Sequence, residues 1–387
     1  MDLPSLSQNP RDPAFAADPY PFYARIHALG GAAFWEEYGI PVVAAHARVN
    51  AILRDRRFGR VNPLAKPRPP GPFAAYEAAS LLERDGEDHA RLRRLLARAH
   101  AARRVEAMEP EIAALADGLI DRFAHRGRAE LMSAFCLPLP LLVVARLLGA
   151  PEEAAEAMRG WTEAMVAPYA FAPPPDAAAK ADEAAAAFRA FVDDLLDRRR
   201  RDPAGDLLSA LAAAEGEGAT REETAAAAML TVAAGHEGAA HALASAILAL
   251  SAAGAAPSEA SVEECLRLDP PLHLFRRFAQ EDVASFGLSL KRGGEVGLLL
   301  GAAGRDPGRV ERPEAFDPAR PEPAHVAFGA GPHFCLGAPL ARLELRVALS
   351  RLFARLPGLR LVAPPVREDR YHFRAVAALE AEWPLRG

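Results

Sequence analysis

Cysteine is scarce in this 387-residue chain: Cys136, Cys265 and Cys335 are the only three, and none lies near another in sequence. Isolated thiols exclude a disulfide framework and a sequence-local cysteine zinc site. They suit a reducing compartment, so a cytoplasmic location is expected. Excess positive charge is also missing. A formal net charge of -5 argues against general nucleic-acid binding, which demands a strongly basic surface. Long apolar runs are absent too. The stretch from Leu137 to Ala150 is interrupted by Pro138 and Pro140 and carries Arg146, and a membrane span needs roughly 20 apolar residues. Between Met1 and Phe22 no basic stretch precedes an apolar run, so no signal peptide is expected.

What is present reads as an ordinary globular composition, with 51% apolar and 25% charged residues. The length allows two domains or one large unit. Alanine-rich runs at 177–187 and 225–228 keep apolar residues at helical spacing and predict helices. Strand signals are few: 32–34 with 39–45, then 285–290 and 295–300, the latter pair joined by a Gly293-Gly294 turn. The chain is therefore mainly α with a small β region. Two proline-rich loops, Asn62–Phe73 and Ala167–Pro175, interrupt the helices and are candidates for a substrate entrance.

The stretch Phe328–Arg342 reads FGAGPHFCLGAPLAR. Gly329, Gly331 and Gly337 relax the backbone around Cys335, as a chain pressed against a flat cofactor requires. From Leu336 onward the pattern turns helical, with Pro339 in the first turn, where its missing N–H costs nothing. Cys335 thus sits at a helix N-terminus, whose partial positive charge favours a thiolate. A lone cysteine is more often a buried structural residue, but the spacing F-x-x-G-x-H-x-C-x-G, followed by Ala341-Arg342, closely resembles the haem-binding loop of the cytochromes P450.

Further segments resemble that family in the same order. Glu264-Cys265-Leu266-Arg267 is similar to its E-x-x-R pair, whose members face one side of a helix. The family's later P-x-R-F arginine has no counterpart in Pro313-Glu314-Ala315-Phe316, so that network is expected to be held differently. His89 and Arg93 resemble its H-x-x-x-R, one helical turn apart, and PPLHLFRRFAQEDV resembles the strand that follows the E-x-x-R helix. The resemblance implies that His89, Arg93, Arg277 and His333 serve the haem propionates, because buried carboxylates need cationic or hydrogen-bonding partners. It adds Phe328 and Gly337 to the cofactor site and makes Cys335 the iron ligand. Thr220 and Glu223 form a capping box that opens a helix running to about Ala253, roughly 50 Å at 1.5 Å per residue. Its centre, Ala233-Ala234-Gly235-His236-Glu237-Gly238, resembles the helix that crosses the oxygen-binding side of the haem.

Here the sequence departs from the family. The acid, Glu237, is kept, but the alcohol that usually follows it is replaced by Gly238. Family members lacking that alcohol can recruit a substrate hydroxyl or ordered water, or work with peroxide. The resemblance implies one unit over residues 1–387 of the triangular-prism type, with its β region at about 30–60 and 275–305 and haem b inside. The implied activity is monooxygenation of a small apolar molecule by a monomer with O2. Electrons would come from a separate ferredoxin- or flavodoxin-type donor and its reductase. Glu237 would feed protons, and Ala234, Gly235 and Gly238 would leave room for dioxygen and water. Leu230, Ala233, Ala234, Leu272 and His273 would line the substrate site. Six arginines and no acid lie between His89 and Val105. With Arg342 and Arg346 they could form a basic docking face for an acidic donor. The alternatives are a peroxide-driven peroxygenase and a non-catalytic haem carrier or sensor.

Overall fold

The apolar runs Ala32–Trp35 and Ile40–Val43 pair antiparallel across the turn at Gly39, as the sequence indicates. In this computed structural model, which describes residues 3–100, 102–321, 325–368 and 371–385, they belong to a six-stranded sheet. Its order is Ser5–Leu6, Ala32–Trp35, Ile40–Val43, Glu295–Leu299, Leu274–Ala279 and Phe58–Gly59. The central pairing of Val42 with Gly297 and Val43 with Leu298 is parallel, while Leu274–Ala279 runs antiparallel to Glu295–Leu299. Both faces are covered. Val43, Val296 and Leu298 pack with Ile52 and Phe58 on one side; Val42, Leu274 and Leu299 pack with Phe22, Tyr23 and Trp35 on the other. Such double burial explains why Ile40–Val43 and Glu295–Leu299 read as nearly continuous apolar runs rather than as alternating patterns.

The sheet belongs to a compact unit built from Met1–Ala65, Ala116–Leu137 and Gly238–Gly387; a second unit comprises Lys66–Leu115 and Pro138–Glu237. Among the described residues the second unit has helices and no strands. Its longest, Ala177–Arg201, buries Ala181, Ala184, Ala185, Phe188 and Val192 along one face and ends in Arg198–Arg201, positive charge that complements the C-terminal end of the helix dipole. The capping box at Thr220 forms as expected, with Glu223 N–H donating to Oγ1 of Thr220 and the Glu223 carboxylate accepting from the Thr220 N–H.

Two expectations need correction. The strands flanking Gly293-Gly294 are not partners. Residues 283–290 form a hairpin of their own, Val283–Ser285 with Leu288–Leu290, turning at Phe286 and Gly287. The Gly293-Gly294 turn instead leads Glu295–Leu299 back along Leu274–Ala279, with Gly293 N–H donating to Ala279 O at 2.7 Å. Second, the helix opened by Thr220 is not continuous: Arg221–Gly235 ends at His236, and Glu237–Ala253 starts afresh. The His236 ring folds back on its own turn, Nδ1 lying 2.7 Å from Val232 O.

The E-x-x-R network is held differently from the family's P-x-R-F arrangement, as expected. Glu264 and Arg267 are buried and joined by two hydrogen bonds of 2.7 Å. The missing arginine is Arg320, in Pro318-Ala319-Arg320, whose Nε donates to Glu264 Oε1 at 3.1 Å. It stands a few residues beyond Pro313-Glu314-Ala315-Phe316. Arg267 also donates to the carbonyls of Gly304, Pro313 and Ala315, and Glu264 accepts the Asp317 N–H. Breaking a buried pair leaves an uncompensated charge, which costs about 3–5 kcal/mol. Arg267→Met is therefore expected to destabilise by about that amount in urea unfolding. Arg320→Met, which leaves Glu264 paired with Arg267, should cost clearly less; equal losses would show that Arg320 is an obligatory partner.

Candidate active site

In the first unit, Cys335 is exposed while Cys136 and Cys265 are buried. Burial pushes the Cys265 thiol up to about 12 and raises that of Cys136 as well, so neither is disposed to ionise. The loop around Cys335 is closed by backbone bonds: Gly329 N–H to Val326 O (2.8 Å), Phe334 N–H to Gly331 O (3.1 Å) and Cys335 N–H to Phe328 O (3.0 Å). Gly331 is required on two counts. Its φ is +69°, and a Cβ there would lie 2.3 Å from the carbonyl oxygen of Leu53, at the end of helix His46–Arg54. Gly337 differs from expectation. Its φ of −84° suits any residue, and a Cβ there would meet only the Cys335 sulfur, 3.9 Å away. Its smallness bears on access to the sulfur, not on backbone freedom. Helix Ala338–Arg355 follows at once, with Pro339 in its first turn.

Arg277 is buried on strand Leu274–Ala279. The neighbouring Phe275 ring abuts Gly329, where an added Cβ would come within 3.2 Å of it. The strand thus lies against the cysteine loop. His333 ends the short helical turn Gly331–His333 and is half-buried. Arg342 is not a simple surface cation: it pairs with Glu263, and its guanidinium lies 4.5 Å from the Phe328 ring centre.

His273 does not line an open site. It is fully buried, with Nδ1 2.7 Å from the Tyr23 hydroxyl, which in turn meets the Tyr371 hydroxyl at 2.9 Å. A side chain at Gly301 would collide with the ring at 2.8 Å. Nε2 stands 3.6 Å from Asp269, beyond hydrogen-bonding range. Leu272, next to it, is half-buried and bridges to Phe373.

In the second unit, His89 is buried and Arg93 half-buried, one turn apart on helix Gly86–Ala99. Other arginines of that helix are engaged: Arg91 with Glu223 and Asp88, Arg98 with Glu217. These acids reduce the basic face expected there. Arg91, Arg94, Leu95, Arg98, Glu217 and Gly218 line an open cavity of about 460 Å³. On helix Arg221–Gly235, Leu230 and Ala233 are half-buried and Ala234 is exposed, so an apolar row remains uncovered within this unit. Gly235 does not provide empty space: a Cβ there would meet Val144 Cγ2 at 2.8 Å, and its role is close packing against helix Pro138–Leu148. Gly238 is the contrary case. An added Cβ there meets nothing within 4 Å.

The two proline-rich loops, which the sequence presents as separate, are tied together in this unit. Arg68 lies 5.3 Å from the Phe73 ring centre and 5.7 Å from that of Tyr169, and pairs with Glu77. The Tyr169 hydroxyl donates to Glu77 at 2.7 Å.

The residues present fit a haem. The exposed thiol beside a helix N-terminus matches a soft iron ligand, and the buried cation Arg277 matches a propionate carboxylate. A cytochrome P450 family model matches residues 258–357, which hold Glu264, Arg267, Arg277, Phe328, His333 and Cys335. The cytochrome P450 monooxygenase PikC of Streptomyces venezuelae is 36% identical, over 99% of this chain and 94% of its own. This chain belongs to the cytochrome P450 family. The mycinamicin IV hydroxylase/epoxidase of Micromonospora griseorubida is 34% identical over 84% of this chain and 83% of its own. A crystal structure of P450BioI with a fatty-acyl acyl carrier protein superposes with a TM-score of 0.90 at 30% identity, covering 96% of this chain and 100% of that one. The mainly α fold with small sheets is therefore the cytochrome P450 fold, and the enzyme is a cytochrome P450 monooxygenase with haem iron as its cofactor. Among the described residues no helix is long and apolar enough to cross a membrane.

Burial lowers the His273 pKa to about 4, outweighing the nearby Asp269 charge. Unfolded histidine titrates near 6.5, so between these values the unfolded chain takes up a proton that the folded chain refuses. Stability should fall as pH drops from about 6.5 towards 4, by up to about 3 kcal/mol from this residue. Urea titrations across that window should show the loss, and His273→Gln should flatten it even if the variant is less stable throughout.

Proposed function

We propose that this cytochrome P450 activates O2 with electrons from a separate ferredoxin- or flavodoxin-type donor and its reductase, and inserts one oxygen atom into a small apolar molecule. The observation that carries this reading is the exposed Cys335 on its glycine-bent loop, the other two thiols being buried. In it Cys335 is the thiolate ligand of haem b, with Phe328 and Gly337 beside it, and His89, Arg93, Arg277 and His333 serve the propionates. When bound, haem with a thiolate ligand supplies the oxygen-activating chemistry. The chain's own groups place the substrate and move protons. Leu230, Ala233, Ala234 and Leu272 supply apolar lining, which His273 does not. The names of relatives support an apolar organic substrate, among them a vitamin D(3) 25-hydroxylase of Pseudonocardia autotrophica, 38% identical over 72% of this chain. The reading further takes the enzyme to be a cytoplasmic monomer.

Cys335→Ala tests the ligand directly. The wild-type protein, reduced under carbon monoxide, is expected to show the red-shifted band of thiolate-ligated haem. The variant should lose it; a variant that kept the band would remove Cys335 from the site.

Glu237 is the proton-handling residue of this reading. It heads helix Glu237–Ala253, and the open space at Gly238 holds no hydroxyl beside it. A polar group of the substrate, or water held by it, then completes the proton path. The same vacancy favours a second reading, a peroxide-driven peroxygenase, which turnover with peroxide alone against NADH plus redox partners would separate. A missing proton donor costs about 10²–10⁴-fold in rate. Substrates bearing a suitably placed polar group should be well coupled, while close analogues lacking it should bind and mostly release peroxide. A Cβ at Gly238 meets nothing within 4 Å, and Gly238→Thr should improve coupling of those analogues that its added bulk still admits. Equal coupling of both substrate classes by the wild-type enzyme would overturn substrate assistance.

A further inference from the structure

The loop that carries Cys335 is tied at both ends to one carboxylate. Glu263 lies on helix Glu259–Leu268. Its Oε1 accepts from Arg342 Nε at 2.6 Å; its Oε2 accepts from Arg342 Nη2 and from His325 Nε2, each at 3.0 Å. His325 precedes the loop, and Arg342 follows it in the first turns of helix Ala338–Arg355. The His325 ring is held as one tautomer. Its Nδ1 accepts the Ala327 N–H at 3.2 Å, which leaves the Nε2 proton for Glu263. The Arg342 guanidinium covers the Phe328 ring at 4.5 Å, and the Phe328 carbonyl accepts the Cys335 N–H at 3.0 Å. Burial would raise the Glu263 pKa, but hydrogen bonds from His325 and Arg342 and the positive charge beside it outweigh burial and lower it. The carboxylate is therefore ionised, and the cation beside it is balanced.

The geometry points to Glu263 as a positioning residue for the iron site: through Arg342 and His325 it seats Phe328 against the cysteine loop, and it cancels the Arg342 charge that would otherwise act on Cys335. This inference rests on Cys335 being the iron ligand. Glu263 acts through its two partners, Arg342 and His325. A positive charge one aromatic ring away stabilises whichever state of the site is more negative, which is the reduced state. At about 10 Å and an effective dielectric of about 20, an unbalanced unit charge shifts such an equilibrium roughly tenfold, less where solvent screens it.

Sign is what separates this role from mere structural support. The haem-loaded enzyme and its Glu263→Gln, Arg342→Gln and doubly substituted forms would be poised against a redox dye and the ferrous-to-ferric ratio read from the absorption spectrum. Glu263→Gln leaves Arg342 unbalanced and should shift the ratio severalfold towards ferrous. Arg342→Gln leaves Glu263 unbalanced and should shift it towards ferric. The double variant, neutral again, should lie within about twofold of wild type. Shifts of the same sign in both single variants, or none in either, would overturn the inference. Should Glu263→Gln fail to retain haem, Arg342→Lys against Arg342→Gln decides the matter: the lysine keeps the charge and should stay near wild type, and equal shifts would overturn it. The carbon-monoxide band of the wild-type enzyme keeps the two levels apart. Without a thiolate band the Cys335 assignment falls and takes this inference with it, whereas an intact band with same-signed shifts overturns this inference alone.

Discussion

A guanidinium that has left water must find an acceptor for nearly every N–H, and Arg267 meets that demand by gathering the chain around itself. Its donors reach Glu264 and the carbonyls of Gly304, Pro313 and Ala315, while Glu264 takes the Asp317 N–H and Arg320. The segment from 304 to 320 has almost no regular structure to fix its path. Buried charge does that instead. The polypeptide is thereby delivered to the start of the cysteine loop, where Glu263, one residue before Glu264, takes over through His325 and Arg342. One helix, Glu259–Leu268, thus organises the approach to Cys335 with two adjacent carboxylates pointed at different partners.

Much of this was legible in the residues alone. The cysteine loop announced itself because each of its requirements has a distinct residue: glycine where the backbone nears the Leu53 carbonyl, proline in the first turn, a thiol just before the helix. The mainly α character followed from alanine-rich periodicity, and Ala32–Trp35, Ile40–Val43 and Glu295–Leu299 from short apolar runs, whereas Ser5–Leu6 and Phe58–Gly59 are two-residue strands too short to stand out. What the residues left open and what they misplaced share a cause. Which arginine reaches Glu264, which strand accepts Glu295–Leu299 and what fills the space beside Gly235 are facts about partners remote in sequence. Two similar Pro-x-x segments stand close together near 313–320, and only the three-dimensional path says which supplies the cation.

His273 and Gly235 show the limits of inference from position in a motif. Both sit where a member of the family would line its site, and both are used for packing. His273 is locked between Tyr23 and Gly301, and Gly235 lets Val144 in. A small or polar residue in such a stretch signals that something approaches closely, without saying whether it is a ligand or a neighbouring helix. Gly238, where nothing approaches, is the position at which that ambiguity resolves towards open space.

The Arg68 clasp carries a mechanical consequence. A guanidinium resting beside both the Phe73 and Tyr169 rings, with Glu77 bridging it to the Tyr169 hydroxyl, joins two proline-rich segments that lie roughly a hundred residues apart in sequence. Proline restricts each segment from within, and the clasp couples them from outside. Parting the two segments gives up the cation–π contacts of Arg68 and its pairing with Glu77, a partly exposed coupling worth about 0.5–1 kcal/mol, so joint displacement is favoured over separate displacement.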